Sequence, residues 1–386
     1  MAESRAAKLR RLWLNVHMWI GIGLAVLLIP ISVSGGLLVW HDEIDTVLNP
    51  QRYAVTGAQM AHPPSVYLAK AAEAVAQDAA NLRATGLRYP EPGWPVRVVT
   101  RAQNRGAGGP PRIVTVFLDP PTAAVLDVME FRSSFIGFLH VFHENLMIPQ
   151  YSGRQIVGWA GVGMLILSLT GIWLWWPRKG GFLRGLRWTR SSRFTFNLHN
   201  MLGFWISVPL AVVSLTGIYL SFPQTARTMM SSMATMNPQG PRGGFGAPVA
   251  QRTALNADRV LEIAVQAEPG GKPLALFLPS EARGGGPLTW RLQLARGGGE
   301  TVNVVVDDRD ARASVTTPRS GDRAASWIRW IHEGSHSGPV WTVIVFLTGV
   351  FPTIFAVTGA IMWLRKRADR KALTTPRGGV EWRPAE

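Results

Sequence analysis

Eight histidines and no cysteine set the chemistry open to this chain. Without thiols there are no disulfides, no thiolate nucleophile, no iron–sulfur cluster and no covalent haem attachment. Imidazole remains, and it grips metals through a neutral ring nitrogen. Two histidines share the frame Asn-x-His-x-x-x-Gly: "NVHMWIG" at 15–21 carries His17, and "NLHNMLG" at 197–203 carries His199. Two other stretches share the dipeptide His-Glu: "HVFHENL" carries His140 and His143, and "WIHEGSH" carries His332 and His336. The last also fits His-Glu-x-x-His, in which two histidines on one helix face hold zinc and the glutamate activates water. Here Gly334, Ser335, Ser337, Gly338 and Pro339 make a poor helix, and no third ligand is evident. The echo at His143-Glu144 accounts for His332-Glu333 without zinc.

The elements that must position these histidines are apolar. Four stretches lack Asp, Glu, Lys and Arg over at least the roughly 20 residues that a bilayer-spanning helix needs. They run from Leu12 to His41, Gln155 to Pro177, Phe194 to Ala226 and Gly334 to Leu364. Trp13, Trp40, Trp173, Trp175, Trp176 and Trp363 lie near their ends, as in interfacial belts. The expected fold is a membrane all-α core of four transmembrane helices, at 12–41, 154–177, 197–222 and 338–364.

The net charge of +16 does not form one polybasic face; it gathers at the ends of the apolar runs, which points to membrane lipid and not to nucleic acid. Basic residues crowd the N-terminus 1–11 (Arg5, Lys8, Arg10, Arg11), the loop 178–193 (Arg178, Lys179, Arg184, Arg187, Arg190, Arg193) and the tail 365–386 (Arg365, Lys366, Arg367, Arg370, Lys371). Both termini and that loop are therefore expected in the cytoplasm, with 42–151 and 223–333 outside. The first run is too long for a signal-peptide core and shows no small-residue cleavage site, so it reads as an anchor.

Each outer segment reads as a small α+β module. Ser65–Leu82 is Ala-rich and helical in pattern, and "VRVVTR" at 96–101 and "RIVTVFLD" at 112–119 follow as strands. The second segment repeats the order with a helix over Ala254–Glu268, then "LTWRLQLA" and "TVNVVVDD". "NRGAGGPP" and "NPQGPRGGFGAP" are expected to be flexible loops.

The helices repeat as well. His17 precedes Gly35, in "SVSG", by the interval at which His199 precedes Gly217, in "SLTG". That interval is about five helical turns, or roughly 27 Å, so each His and its Gly share a face at opposite sides of the membrane. Gly171 ("SLTG") and Gly359 ("AVTG") stand near the cytoplasmic ends of the second and fourth helices. Both halves start in the cytoplasm, so the repeats are parallel, related by an axis along the membrane normal. Such an axis sets His17 facing His199 near one surface and His143 facing His332 near the other. Two facing imidazoles on helices are what a six-coordinate b-type haem requires, and its macrocycle needs small residues beside it. Gly35 and Gly217 are level with the outer pair, Gly171 and Gly359 with the inner. Asn15 and Asn197 are candidate hydrogen-bond partners of the ligands.

One histidine at a membrane interface is more often an anchor than a ligand, and small residues more often pack helices than clear a cofactor. Four histidines at repeat-equivalent positions, two per face, fit neither explanation easily. His140, His336 and His41 are alternates to the outer ligands His143 and His332, a metal-docking spot, or plain solvated or interfacial residues, the last being the favoured reading.

At this point the chain resembles the PepSY-associated transmembrane family, bacterial inner-membrane proteins that include ferric-siderophore reductases such as ferrioxamine reductase. The resemblance covers most of the chain. It rests on "VHMWIGIGLAVLLIPISVSGGLLVW", "FHENL" leading to "GRQIVGWAG" and "SLTGIWLWWP", "LHNMLGFW", and "IHEGSHSG" leading to "AVTGAIMWLRKR". "VTVFLDPPTAAVLDV" looks like a PepSY strand ending, in which an Asp and a turn close a hairpin, with Pro120–Ala123 where the usual turn glycine would stand. The resemblance implies two haem b per chain on His17, His199, His143 and His332, an inner-membrane location, and electron transfer to the iron of a ferric siderophore in the periplasm. No flavin or nicotinamide site is legible, so the donor is a quinol or a separate cytoplasmic reductase. The alternative is a haem-free sensor or regulator whose PepSY-like modules bind a peptidase or envelope partner. A transporter fits less well, because the four helices carry no mid-membrane charge.

Overall fold

A computed structural model describes residues 4–78, 81–102, 112–177, 182–188, 190–238, 249–281, 286–297 and 300–374. Both loops expected to be flexible fall mostly outside this set, as do Arg178 and Lys179 of the basic loop. The chain divides into two compact units. One comprises Met1–Val39, Leu139–Ala226 and Trp327–Glu386; the other comprises Trp40–Phe138 and Arg227–Ser326.

The first unit is a helical bundle. Its four long apolar helices span Arg5–Leu38, Gly153–Trp175, Phe194–Ser221 and Pro339–Thr374. Each is long and apolar enough to cross a bilayer, where a helix is the one unpaired segment able to satisfy its own backbone. The first span packs on the second and fourth, and the third packs on the same two, closing a ring. Leu28, Ala160, Met164 and Leu210 fill its centre. The first and fourth helices meet backbone to backbone, since a Cβ on Gly349 would lie 2.5 Å from the Cα of Gly36. Small residues at a helix contact allow this approach. The first helix begins seven residues before the charge-free run and the fourth runs ten beyond it. Charge marks where lipid ends, whereas Arg, Lys and Ala carry the helix onward.

The second unit is one antiparallel sheet of eight strands, ordered β4-β3-β2-β1-β5-β6-β7-β8. The strands are β1 Leu82–Arg88, β2 Val96–Ala102, β3 Ile113–Leu118, β4 Val125–Glu130, β5 Lys272–Phe277, β6 Thr289–Ala295, β7 Thr301–Asp307 and β8 Ala313–Thr316. The two expected modules are thus halves of a single sheet, joined where Gly86, Leu87 and Arg88 pair with Phe277, Leu276 and Ala275. A Cβ at Gly86 would meet the Leu276 carbonyl at 2.8 Å, so the seam demands glycine there. Each half runs helix first, then four strands. The helices Pro64–Ala74 and Ala257–Ala267 bury Tyr67 and Ala71, and Val260 and Ala264. Val302, Val304 and Val306 show the period-2 burial of a strand with one covered face, each such side chain contributing about 1.5–3 kcal/mol. The first helix is shorter than its Ala-rich pattern suggests, ending at Ala74 so that Leu82 can open β1.

The expected hairpin closure is present after β3, and the second half shows a like closure that its sequence had not announced. After β3 the Asp119 carboxylate accepts from Thr56 N (2.7 Å), Thr56 Oγ1 (2.7 Å) and Thr122 Oγ1 (2.6 Å). After β7 the Asp308 carboxylate accepts from Ala254 N (2.7 Å), Leu255 N (3.1 Å) and Trp290 Nε1 (2.8 Å). Where a turn glycine is usual, Ala123 and Ala311 take left-handed φ values of 54° and 57°. An alanine there is strained by about 1–2 kcal/mol. Burial alone would raise the Asp119 carboxyl, but the Thr122 and Thr56 donors hold it below the usual carboxylate range.

Candidate functional site

The bundle brings the four predicted histidines together in two facing pairs. His17 lies on the first span and His199 on the third, helices that share the second and fourth as neighbours. Their ring centres are 6.4 Å apart with the planes at 80°. His143 lies on the short helix Phe135–Asn145 and His332 on Ser320–Glu333. Their ring centres are 6.3 Å apart with the planes at 40°. The boundary between units falls inside these two short helices, and both histidines lie on the bundle's side of it.

Every ring is held by its Nδ1. His17 Nδ1 lies 2.8 Å from Thr170 Oγ1, and His199 Nδ1 lies 2.8 Å from Thr358 Oγ1. Each threonine spends its own proton on the carbonyl four residues back, Ile166 O and Ile354 O, both at 2.7 Å. The hydroxyl oxygens can then only accept, so Nδ1–H of each ring donates. His143 Nδ1–H donates to Ile31 O at 2.9 Å, and His332 Nδ1–H to Val213 O at 3.0 Å, with Thr216 Oγ1 at 3.2 Å. This network assigns the same tautomer to all four rings and leaves each Nε2 with a free lone pair.

That arrangement fits a metal between each pair. An imidazole nitrogen binds a metal at about 2 Å and lies roughly 1 Å from its ring centre, so two imidazoles that would hold one metal between them stand with ring centres roughly 6 Å apart. Both pairs meet that spacing. The Nδ1 anchors are what ligating histidines typically have behind them. Among the described residues no group of three or more His, Cys, Asp or Glu comes together, so a site built wholly from side chains is not formed. A pair of imidazoles suits a metal whose other ligands come from a macrocycle.

The glycines stand against the rings themselves. A Cβ on Gly35 would meet His143 Cε1 at 2.5 Å, and one on Gly217 would meet His332 Cε1 at 2.9 Å. Gly171 and Gly359 leave more room, 3.6 Å to His17 Cε1 and 3.8 Å to His199 Cε1. The levels match the expected ones, but at the His143–His332 pair the close neighbour is the imidazole rather than space reserved for a macrocycle. Thr170, Thr216 and Thr358 each directly precede one of these glycines. The hydroxyl anchors thus sit in the repeated "SLTG" and "AVTG" motifs, one residue before the glycine.

The asparagines expected behind the ligands do something else. Asn197 accepts from Arg190 N (3.1 Å) and Ser191 N (2.9 Å) and donates to Ser191 O (2.7 Å), stapling the loop before the third span. Asn15 is exposed. Residues two apart on a helix point to different faces, so neither could back its histidine. His336 is not on the His332 helix, which ends at Glu333; Gly334 (φ 78°) and His336 (φ 58°) turn the chain, and the His336 ring stacks on Trp330 at 4.5 Å. His332 and His336 thus share no helical face, as the zinc motif would require. His140 sits one turn before His143, half-buried, and His41 approaches Asp42 at 3.4 Å.

The family model described as the PepSY-associated TM region matches residues 14–366, and the chain belongs to that family. No curated protein matches it.

Proposed function

We propose that this member of the PepSY-associated TM family is a di-haem oxidoreductase of the bacterial inner membrane that reduces ferric-siderophore iron in the periplasm. The observation that carries the reading is the two imidazole pairs, with ring centres 6.4 and 6.3 Å apart and every ring anchored through Nδ1. His17 and His199 hold one b-type haem, and His143 and His332 the other. Bound there, haem supplies reversible one-electron transfer, and two such sites at opposite ends of one bundle make a path across the bilayer. Thr170, Thr358 and the Ile31 and Val213 carbonyls fix the tautomer that a neutral ligand needs.

The basic flanks support cytoplasmic termini and an outward-facing sheet unit. The same helix-then-strands order in the two halves supports an internal duplication, with the pseudo-two-fold axis between equivalent histidines. Siderophore oxygens hold hard Fe(III) far more tightly than Fe(II), so delivery of one electron loosens the metal. A quinol or a cytoplasmic reductase is the donor on this reading.

An absorption spectrum of the purified full chain tests it. Dithionite should produce b-type Soret and α bands at two haems per chain. A colourless protein after expression with ample haem would sink the proposal and favour a haem-free sensor whose sheet unit binds an envelope partner.

A further inference from the structure

The two imidazole pairs are anchored by different chemistry, and this has an electronic consequence that rests on the haem reading above. At the His143–His332 pair each Nδ1 reaches a main-chain carbonyl, Ile31 O or Val213 O, which no side-chain substitution removes, with the Thr216 hydroxyl a longer second contact to His332. At the His17–His199 pair the close Nδ1 anchors are side-chain hydroxyls on the neighbouring spans, Thr170 Oγ1 and Thr358 Oγ1, with the Leu167 carbonyl also reached by His17. An Nδ1 hydrogen bond fixes the rotation of its ring about the Cβ–Cγ bond, and so fixes the ring plane about the axis toward the facing imidazole. The hydroxyl-anchored planes cross at 80° and the carbonyl-anchored planes at 40°.

We propose that Thr170 and Thr358 are positioning residues that lock His17 and His199 crosswise, making the site between them electronically distinct from the site between His143 and His332. Ring orientation matters because each imidazole donates π density mainly perpendicular to its own plane. Crossed rings act on both iron dπ orbitals alike and leave them close in energy, whereas rings nearer parallel split them. In the low-spin ferric state the first case gives an electron paramagnetic resonance signal with a very large maximum g value, the second a more rhombic one. The hydroxyl oxygens also accept from Nδ1–H and so add electron density to the ring, which favours the ferric state. Removing the acceptor withdraws that density.

The test uses the full chain as purified with its haem. Wild type should show two ferric low-spin signals, one of large maximum g and one rhombic. Thr170→Val and Thr358→Val keep the branched shape and remove the acceptor. Each should move the large-g signal toward rhombic, raise the midpoint potential of that site alone, and weaken haem retention there by roughly 10- to 100-fold. Thr170→Ser and Thr358→Ser keep the hydroxyl and should restore the wild-type signal. Unchanged signal and midpoint in the valine variants would overturn the inference, as would equal shifts at both sites. Loss of the signal in valine and serine variants alike would also overturn it, by showing that the threonine methyl and not the hydroxyl is needed. A colourless wild type removes the haem reading and this inference together, whereas two haems with insensitive signals remove only this inference.

Discussion

The His17–His199 and His143–His332 pairs have almost the same ring separation, 6.4 and 6.3 Å, yet they are built differently. The first takes both histidines from spanning helices, anchors them on hydroxyls and leaves 3.6–3.8 Å between ring and glycine Cβ position. The second takes both histidines from short helices outside the spans and presses them onto the first and third spans, with 2.5–2.9 Å at the same point. One pair is held chiefly by side-chain hydroxyls in a loose cradle and the other chiefly by backbone carbonyls in a tight one. Equal spacing with unequal support means that the separation is the shared requirement and the support is not.

If the pairs hold haem as proposed, the largest effect expected is loss of one of these histidines. His143→Ala or His332→Ala should leave one haem per chain, the crossed-ring site, and His17→Ala or His199→Ala should leave the other. Equal loss of both sites from every variant would erase the distinction between the pairs. Next in size is Gly35→Ala, whose new methyl collides with a ring tied to Ile31 O. Overpacking of this kind costs about 1–3 kcal/mol, so the haem-to-protein ratio should fall for the His143–His332 site. Gly359→Ala, with its ordinary 3.8 Å contact to His199, should lower the ratio less than Gly35→Ala does. The smallest effect belongs to Thr216→Val. His332 keeps its 3.0 Å bond to Val213 O when the 3.2 Å contact is lost, so the midpoint of that site should move less than the Thr170→Val shift. A larger shift would show that the hydroxyl, and not the carbonyl, is the working anchor there.

Part of this was legible in the chain because His17 and His199 lie inside apolar runs, whereas His143 and His332 lie outside them and stand out only by their shared His-Glu frame. The spans declared themselves by their lack of charge, and the His17/His199 and His143/His332 correspondences by repeated local frames. What stayed hidden follows from physics that a local pattern does not carry. β1, "LRATGLR", and β5, "KPLALF", sit at the centre of the sheet, yet Gly86 and Pro273 make them weak strands by composition. Their pairing joins residues far apart in sequence, and nothing nearby announces it. The threonine anchors were hidden for a different reason. Thr is expected in a small-residue helix motif, so its bond to a ring on another helix left no mark of its own. Asn197 misled because closeness in sequence was taken for closeness in space.

The seam between β1 and β5 also bears on how the chain is made. Gly86 must find Phe277 about 190 residues later, with the second and third spans between them, so the sheet closes only after both spans have been synthesised. Until then the first half waits with β1 as an open edge of unpaired N–H and C=O groups, the kind of edge that invites pairing with another chain. Premature release from the insertion machinery should therefore expose a sticky half-sheet, and two truncated chains should associate through it.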